Sequence, residues 1–145
     1  VDLATSLFAF GTPPFVVLRE RLWLQTIDAA IWARLAGVIM TFAPEATVTD
    51  EFIPTLTSRV TGKGGSIHFV ELRCSDAELE TRITADSRQR FGKLRDLYTY
   101  RKLDAAGTFE RPRMPEPELV VDTTERKPLE SARMIAKHLH QTAPR

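Results

Sequence analysis

The chain has 145 residues, 43% of them apolar and 27% charged, with a formal net charge of +1. That length supports one domain with a real core, and the charge balance leaves no global field that would demand a nucleic acid or an anionic membrane. The one cysteine, Cys74, excludes an intrachain disulfide and fits a reducing, cytoplasmic compartment. No apolar run approaches the roughly 20 residues of a membrane span, and Val1-Asp2-Leu3 has no basic n-region of a signal peptide.

In chain order, residues 1–10 read as the end of a helix, and "GTPP" at 11–14 is a break whose prolines can start the next helix. Apolar residues Leu18, Leu22, Ile27, Ala30, Ile31 and Leu35 recur at helical spacing over 15–36, and Gly37 is the expected terminator. "VIMTF" at 38–42 has the marks of a buried strand. "TVTDEFIPTLTSRV" reads as a helix with Pro54 near its first turn, and "IHFVELR" at 67–73 reads as a second buried strand.

Ser75-Asp76-Ala77-Glu78 is a capping box that opens a helix of about four turns through "AELETRITADSRQR". "LRDLYTYRKLDAA" is another helix, and 107–117 is a loop rich in Pro and Arg. "ELVVD" at 118–122 is a third strand, and Pro128 starts the last helix. Strands alternating with helices predict an α/β fold, a parallel sheet covered on both faces in three α/β/α layers, over residues 1–145 as one domain.

Three stretches invite a chemical reading. "TGKGGS" at 61–66 has the composition of a phosphate loop, but a helix precedes it and a strand follows it. That is the reverse of the strand–loop–helix order of G-x-x-x-x-G-K-[ST]. Its glycines suit a helix C-cap and a tight turn. Residues 82–102 hold seven basic residues against two acidic ones, a local net of +5. This is a solvated helix face with pairs such as Arg82–Asp86, a phosphate-binding segment, or a nucleic-acid surface with Tyr98 and Tyr100 as stacking platforms. "ELVVDTTERKPLESARMIAKHL" ends a strand in Asp122 at the edge where parallel α/β sheets bind ligands; the alternative is that Asp122 and Thr123 only cap the turn.

The succession "VELRCS", "ETRI", an Arg-rich segment and "VVDTTERKPLESARMIAKHL" resembles the C-terminal half of the P-loop small-molecule kinases. Shikimate-kinase-like proteins, within the nucleoside-monophosphate-kinase-like group, are the best match. The resemblance covers residues 66–142, and from 13 to 60 it rests on the helix–strand–helix order alone. It implies ATP and Mg²⁺ as cofactors and phosphoryl transfer to a small-molecule acceptor. It implies that Arg82 and Pro128 enclose the adenine, with Asp122, Thr123 and Thr124 along its edge. It further implies a lid over about 82–117 whose Arg88 and Arg90 neutralise charge during transfer, with Arg95 a further candidate.

The same resemblance implies a P-loop and its strand near the N-terminus, between the strands at 38–42 and 67–73. Without that strand, those two would leave backbone groups unpaired at about 1–3 kcal/mol each. The expectation is that about 40 residues carrying it precede Val1 in the whole protein, a chain whose first residue here is not Met. No triple-glycine motif follows 38–42, so the acceptor stays open. Glu45 and Asp50 are candidates for Mg²⁺ or the acceptor hydroxyl, or else helix caps, and Arg19 and Arg21 are anion ligands or surface charges.

Trp23 and Trp32 are expected to pack their helix onto the sheet, and His68 to be structural. His138 and His140 diverge on the last helix, which disfavours a shared metal, and Cys74 has no neighbouring acid or base to make it a nucleophile. Two rival functions accompany the kinase: a non-catalytic nucleotide-binding or regulatory protein of the same fold, and an RNA-binding module that uses 82–102.

Overall fold

The computed structural model describes residues 2–86, 88, 94–109 and 114–142. They fall into two compact units, one from the described residues of Val1–Ile67 and Gly107–Met114, the other from those of His68–Ala106 and Pro115–Arg145.

The first unit holds α1 (Asp2–Leu7), α2 (Pro13–Trp32) and α3 (Phe52–Thr61). Pro13 and Pro14 occupy the first positions of α2, where a missing N–H removes no helical bond. The helix ends at Trp32 rather than running to Gly37. The Ala33 N–H closes the last turn on the Ala29 carbonyl, and Arg34 then takes a φ of 54°, which turns the chain out of the helix.

The expected apolar stripe on α2 is also corrected. The buried positions are Phe15 and Arg19, while Leu18, Leu22, Ile27, Ala30 and Ile31 are half-buried and Leu35 is exposed. Trp23 continues the Phe15–Arg19 row at i+4 spacing. It meets Phe42 edge-on at 5.7 Å and Phe52 at 5.2 Å, and Phe52 stacks on Phe42 at 5.8 Å. Val48, Ile53 and Leu56 complete this core. Trp32 is 87% exposed and does not pack as expected.

α3 carries Pro54 in its first turn, as its sequence predicts. Gly62 caps it, and Gly64 at φ 81° lets the Gly65 N–H reach the Val60 carbonyl (3.0 Å). TGKGGS is therefore a helix-ending turn. Residues 38–42 form no ladder, which corrects the strand expected there: a short apolar run becomes a strand only when a partner satisfies its backbone. Val38 and Ile39 are exposed.

The second unit holds β1 (Val70–Arg73), α4 (Asp76–Thr84), α5 (Leu97–Ala105), β2 (Leu119–Asp122) and α6 (Pro128–Thr142). β1 and β2 pair in parallel, Val70 opposite Leu119 and Arg73 opposite Asp122. Of the expected three-layer sheet, the described residues contain these two strands. β1 begins at Val70, later than the expected 67. α4 stops at Thr84, well short of four turns, because Ala85 turns extended at ψ 138°. α6 packs against β2, where Val121 is fully buried, and Asp96 caps α5 by accepting from the Thr99 N–H (2.6 Å). No helix among the described residues is long and apolar enough to cross a membrane.

Glu118, just before β2, ties this unit at its other end. Its Oε2 lies 2.8 Å from His68 Nδ1 and 3.4 Å from His138 Nε2 on α6. The His68 hydrogen bond outweighs desolvation and, with a smaller contribution from His138, holds the Glu118 carboxyl below its ordinary 4.5. A folded pKa below the unfolded one stabilises above the ordinary value and loses that contribution as pH falls through the folded value. The stability difference between the wild type and Glu118→Gln should therefore be present at neutral pH and vanish on acidification, which thermal melts across acid pH will read.

Candidate functional site

The carboxyl ends of β1 and β2 lie side by side, and the loops that leave them are bound to each other. The Thr123 N–H donates to the Arg73 carbonyl (2.7 Å), and the Thr123 hydroxyl donates to the same oxygen (2.8 Å). The Ser75 N–H donates to Thr124 Oγ1 (2.9 Å) while Ser75 Oγ accepts from the Glu78 N–H (3.3 Å). Only half of the expected capping box forms. Thr124 replaces Glu78 as the partner of the Ser75 N–H, and the Glu78 carboxylate turns to Arg82 instead.

Arg82 is held along its edge. Nε donates to Glu78 Oε1 (2.7 Å), Nη1 to Thr123 Oγ1 (2.8 Å) and Nη2 to the Thr123 carbonyl. This replaces the expected Arg82–Asp86 pair, and Asp86 lies 3.3 Å from Arg95 instead. Because Glu78 is four residues N-terminal to Arg82, this pairing is also the more favourable helical orientation. In-plane bonds to all three nitrogens fix the guanidinium without using its faces, and a flat cationic face suits an aromatic ring.

An open groove of about 590 Å³ lies at the same edge, lined by Ser75, Asp122, Thr124, Glu125, Arg126 and Glu130. Asp122 accepts from the Thr124 N–H (2.8 Å). That bond is the main reason its carboxyl sits below the usual range, followed by the Thr124 side chain, with Arg126 and Arg82 adding electrostatically. Arg126 donates from Nε to the Asp122 carbonyl (3.1 Å), and Glu130 accepts from the Lys127 N–H (3.3 Å). Pro128, exposed, opens α6 beside these residues; neither it nor Arg82 lines the groove.

Of the expected site residues, Arg82, Asp122, Thr123 and Thr124 thus come together. Arg88 donates to the Leu94 carbonyl (3.1 Å), and Arg90 lies outside the described residues. Arg101 is engaged bidentately by Glu80 (2.8 Å for both bonds). Sequence reading missed Glu78, Ser75 and Arg126. For Glu78 the i,i+4 spacing to Arg82 was an available signal; for the other two only the fold brings them to the groove.

In the first unit, Arg19 and Glu45 are corrected. Arg19 is neither a surface charge nor open to an acceptor: it is 3% exposed and donates to Glu45 Oε1 at 2.6 Å. It also reaches Thr47 Oγ1 (3.1 Å) and the Thr47 carbonyl (3.0 Å), and it lies over the Phe15 and Trp23 rings. Glu45 is occupied by Arg19, the Thr47 N–H and the Thr47 hydroxyl, which leaves it unsuited to Mg²⁺. Among the described residues no group of three His, Cys, Asp or Glu is arranged to hold a metal. Arg21 and Asp50 are exposed. No family model, curated protein or solved structure matches the chain.

Proposed function

We propose that the second unit carries the nucleotide-base site of a cytoplasmic, shikimate-kinase-like phosphotransferase of the P-loop class. The observation that carries this reading is the edge-on anchoring of Arg82 at the carboxyl end of two parallel strands. That arrangement offers a cationic face to a planar base while the Asp122–Thr124 backbone lies alongside. Bound ATP would supply the transferable phosphoryl group. On this chain, Arg82 and Pro128 would bind the adenine, and Asp122, Thr123 and Thr124 would orient its edge. Arg88 and Arg90 are assigned to offset phosphate charge from the lid.

No residue described here is assigned to hold Mg²⁺, since Glu45 is committed to Arg19. The phosphate cradle G-x-x-x-x-G-K-[ST] does not occur in these 145 residues. The acceptor is a small molecule, on the same resemblance. Against an RNA surface stand the carboxylate partners that Arg95 and Arg101 already have within the unit.

ADP binds the folded chain and not the unfolded one on this account. At about ten times its Kd it should stabilise by about 1.4 kcal/mol, raising Tm by a few degrees. A Tm unmoved by millimolar ADP contradicts the reading.

A further inference from the structure

Arg82 owes two of its three bonds to Thr123, one to the carbonyl and one to the hydroxyl. The hydroxyl's own proton goes to the Arg73 carbonyl at the end of β1 (2.8 Å). A threonine hydroxyl has one proton and two lone pairs. With the proton directed at Arg73, the lone-pair side is turned toward Arg82 Nη1, and a chain of hydrogen bonds runs from β1 through Thr123 to the guanidinium. Glu78 holds Nε from within α4. Bonds from two elements at opposite sides of the fork stop the plane from turning about its long flexible stem.

We propose that the Thr123 side chain is a positioning residue for Arg82, setting the guanidinium plane against which a planar heterocyclic base lies. The proposal rests on the nucleotide reading above for its ligand, but the hold on Arg82 is a property of the ligand-free protein. It makes Arg82 a stacking residue rather than a phosphate clamp, because three of its five donors, one on each nitrogen, are directed into the protein edge. It also gives the hydroxyl a role that the loop backbone cannot supply: a backbone carbonyl at 123 survives every substitution, whereas the Nη1 bond survives only with a hydroxyl.

The test compares Thr123→Val, which keeps the shape and loses the hydroxyl, with Thr123→Ser, which keeps the hydroxyl. In the ligand-free full chain, ¹⁵N relaxation of the Arg82 Nε–H should report a loosened guanidinium in T123V and a wild-type one in T123S. ADP, titrated calorimetrically, should bind T123V about tenfold more weakly and T123S within about twofold of wild type, the scale of one hydrogen bond to a charged group. Unchanged Arg82 relaxation in T123V overturns the proposal, and so does a T123S variant as impaired as T123V. If the wild type binds no ADP, the nucleotide reading falls, and the relaxation comparison still decides whether Thr123 holds Arg82.

Discussion

Replacing Glu45 with alanine should destabilise the first unit by about 3 kcal/mol, the lower end of the cost of breaking a buried ion pair, because the Glu20 carboxylate still lies 3.8 Å from Arg19. Arg19 is 3% exposed and sits between the Phe15 and Trp23 rings, so its charge cannot reach water when Glu45 is removed. The Thr47 contacts would remain, and so would Glu20, but at 3.8 Å its carboxylate makes no hydrogen bond to replace the 2.6 Å bond from Arg19 to Glu45. Both tryptophans, Trp23 and Trp32, belong to this unit, so tryptophan fluorescence during urea unfolding reports on it directly. Replacing both members, Arg19→Met with Glu45→Leu, should recover most of the loss, because an apolar pair of similar size avoids the desolvation of two charges. An unchanged urea midpoint for Glu45→Ala contradicts this account of Arg19.

Phe52→Ala should be comparably severe, about 3–5 kcal/mol. Phe52 is 2% exposed and touches both Trp23 and Phe42, so truncation opens a cavity that two rigid rings cannot refill. Phe52→Leu, which keeps most of the volume, should lose much less. The Trp23 emission should shift to the red in the alanine variant as water enters. A fully native emission and midpoint would mean that this aromatic cluster is not the core of the unit.

Local signals in the sequence carried much of the fold. Pro13 and Pro14 opening α2, Pro54 in the first turn of α3, Ser75 capping α4 and Pro128 opening α6 each act within a few residues of themselves. The reading of TGKGGS as a turn belongs to the same class, since Gly64 needs only its own positive φ and the helix before it. What failed depended on partners distant in sequence. Residues 38–42 have the composition of a strand, but a ladder is made by two segments and composition specifies one. Arg19 reads as a surface charge because its sequence neighbours Glu20 and Arg21 are charged; its hydrogen-bonded partner, Glu45, comes from 26 residues away.

The candidate site divides the same way. Asp122 and its loop were legible from a strand running into hydroxyl residues and a proline. Thr123 meeting both Arg73 and Arg82 was not, because those contacts span 50 and 41 positions. Glu118 with His68 and His138 is a similar case, three polar residues on three segments that only the fold assembles.

The central claim is that the carboxyl edge of β1 and β2 receives a nucleotide base. The most direct measurement is a ¹H–¹⁵N map of the chain titrated with ADP. The account predicts concerted shifts at Ser75, the Arg82 Nε–H, the amides of Asp122 through Thr124, and Arg126, with those of Arg19 and Thr47 unmoved. A spectrum without shifts at millimolar ADP, or shifts confined to residues away from that edge, would contradict it.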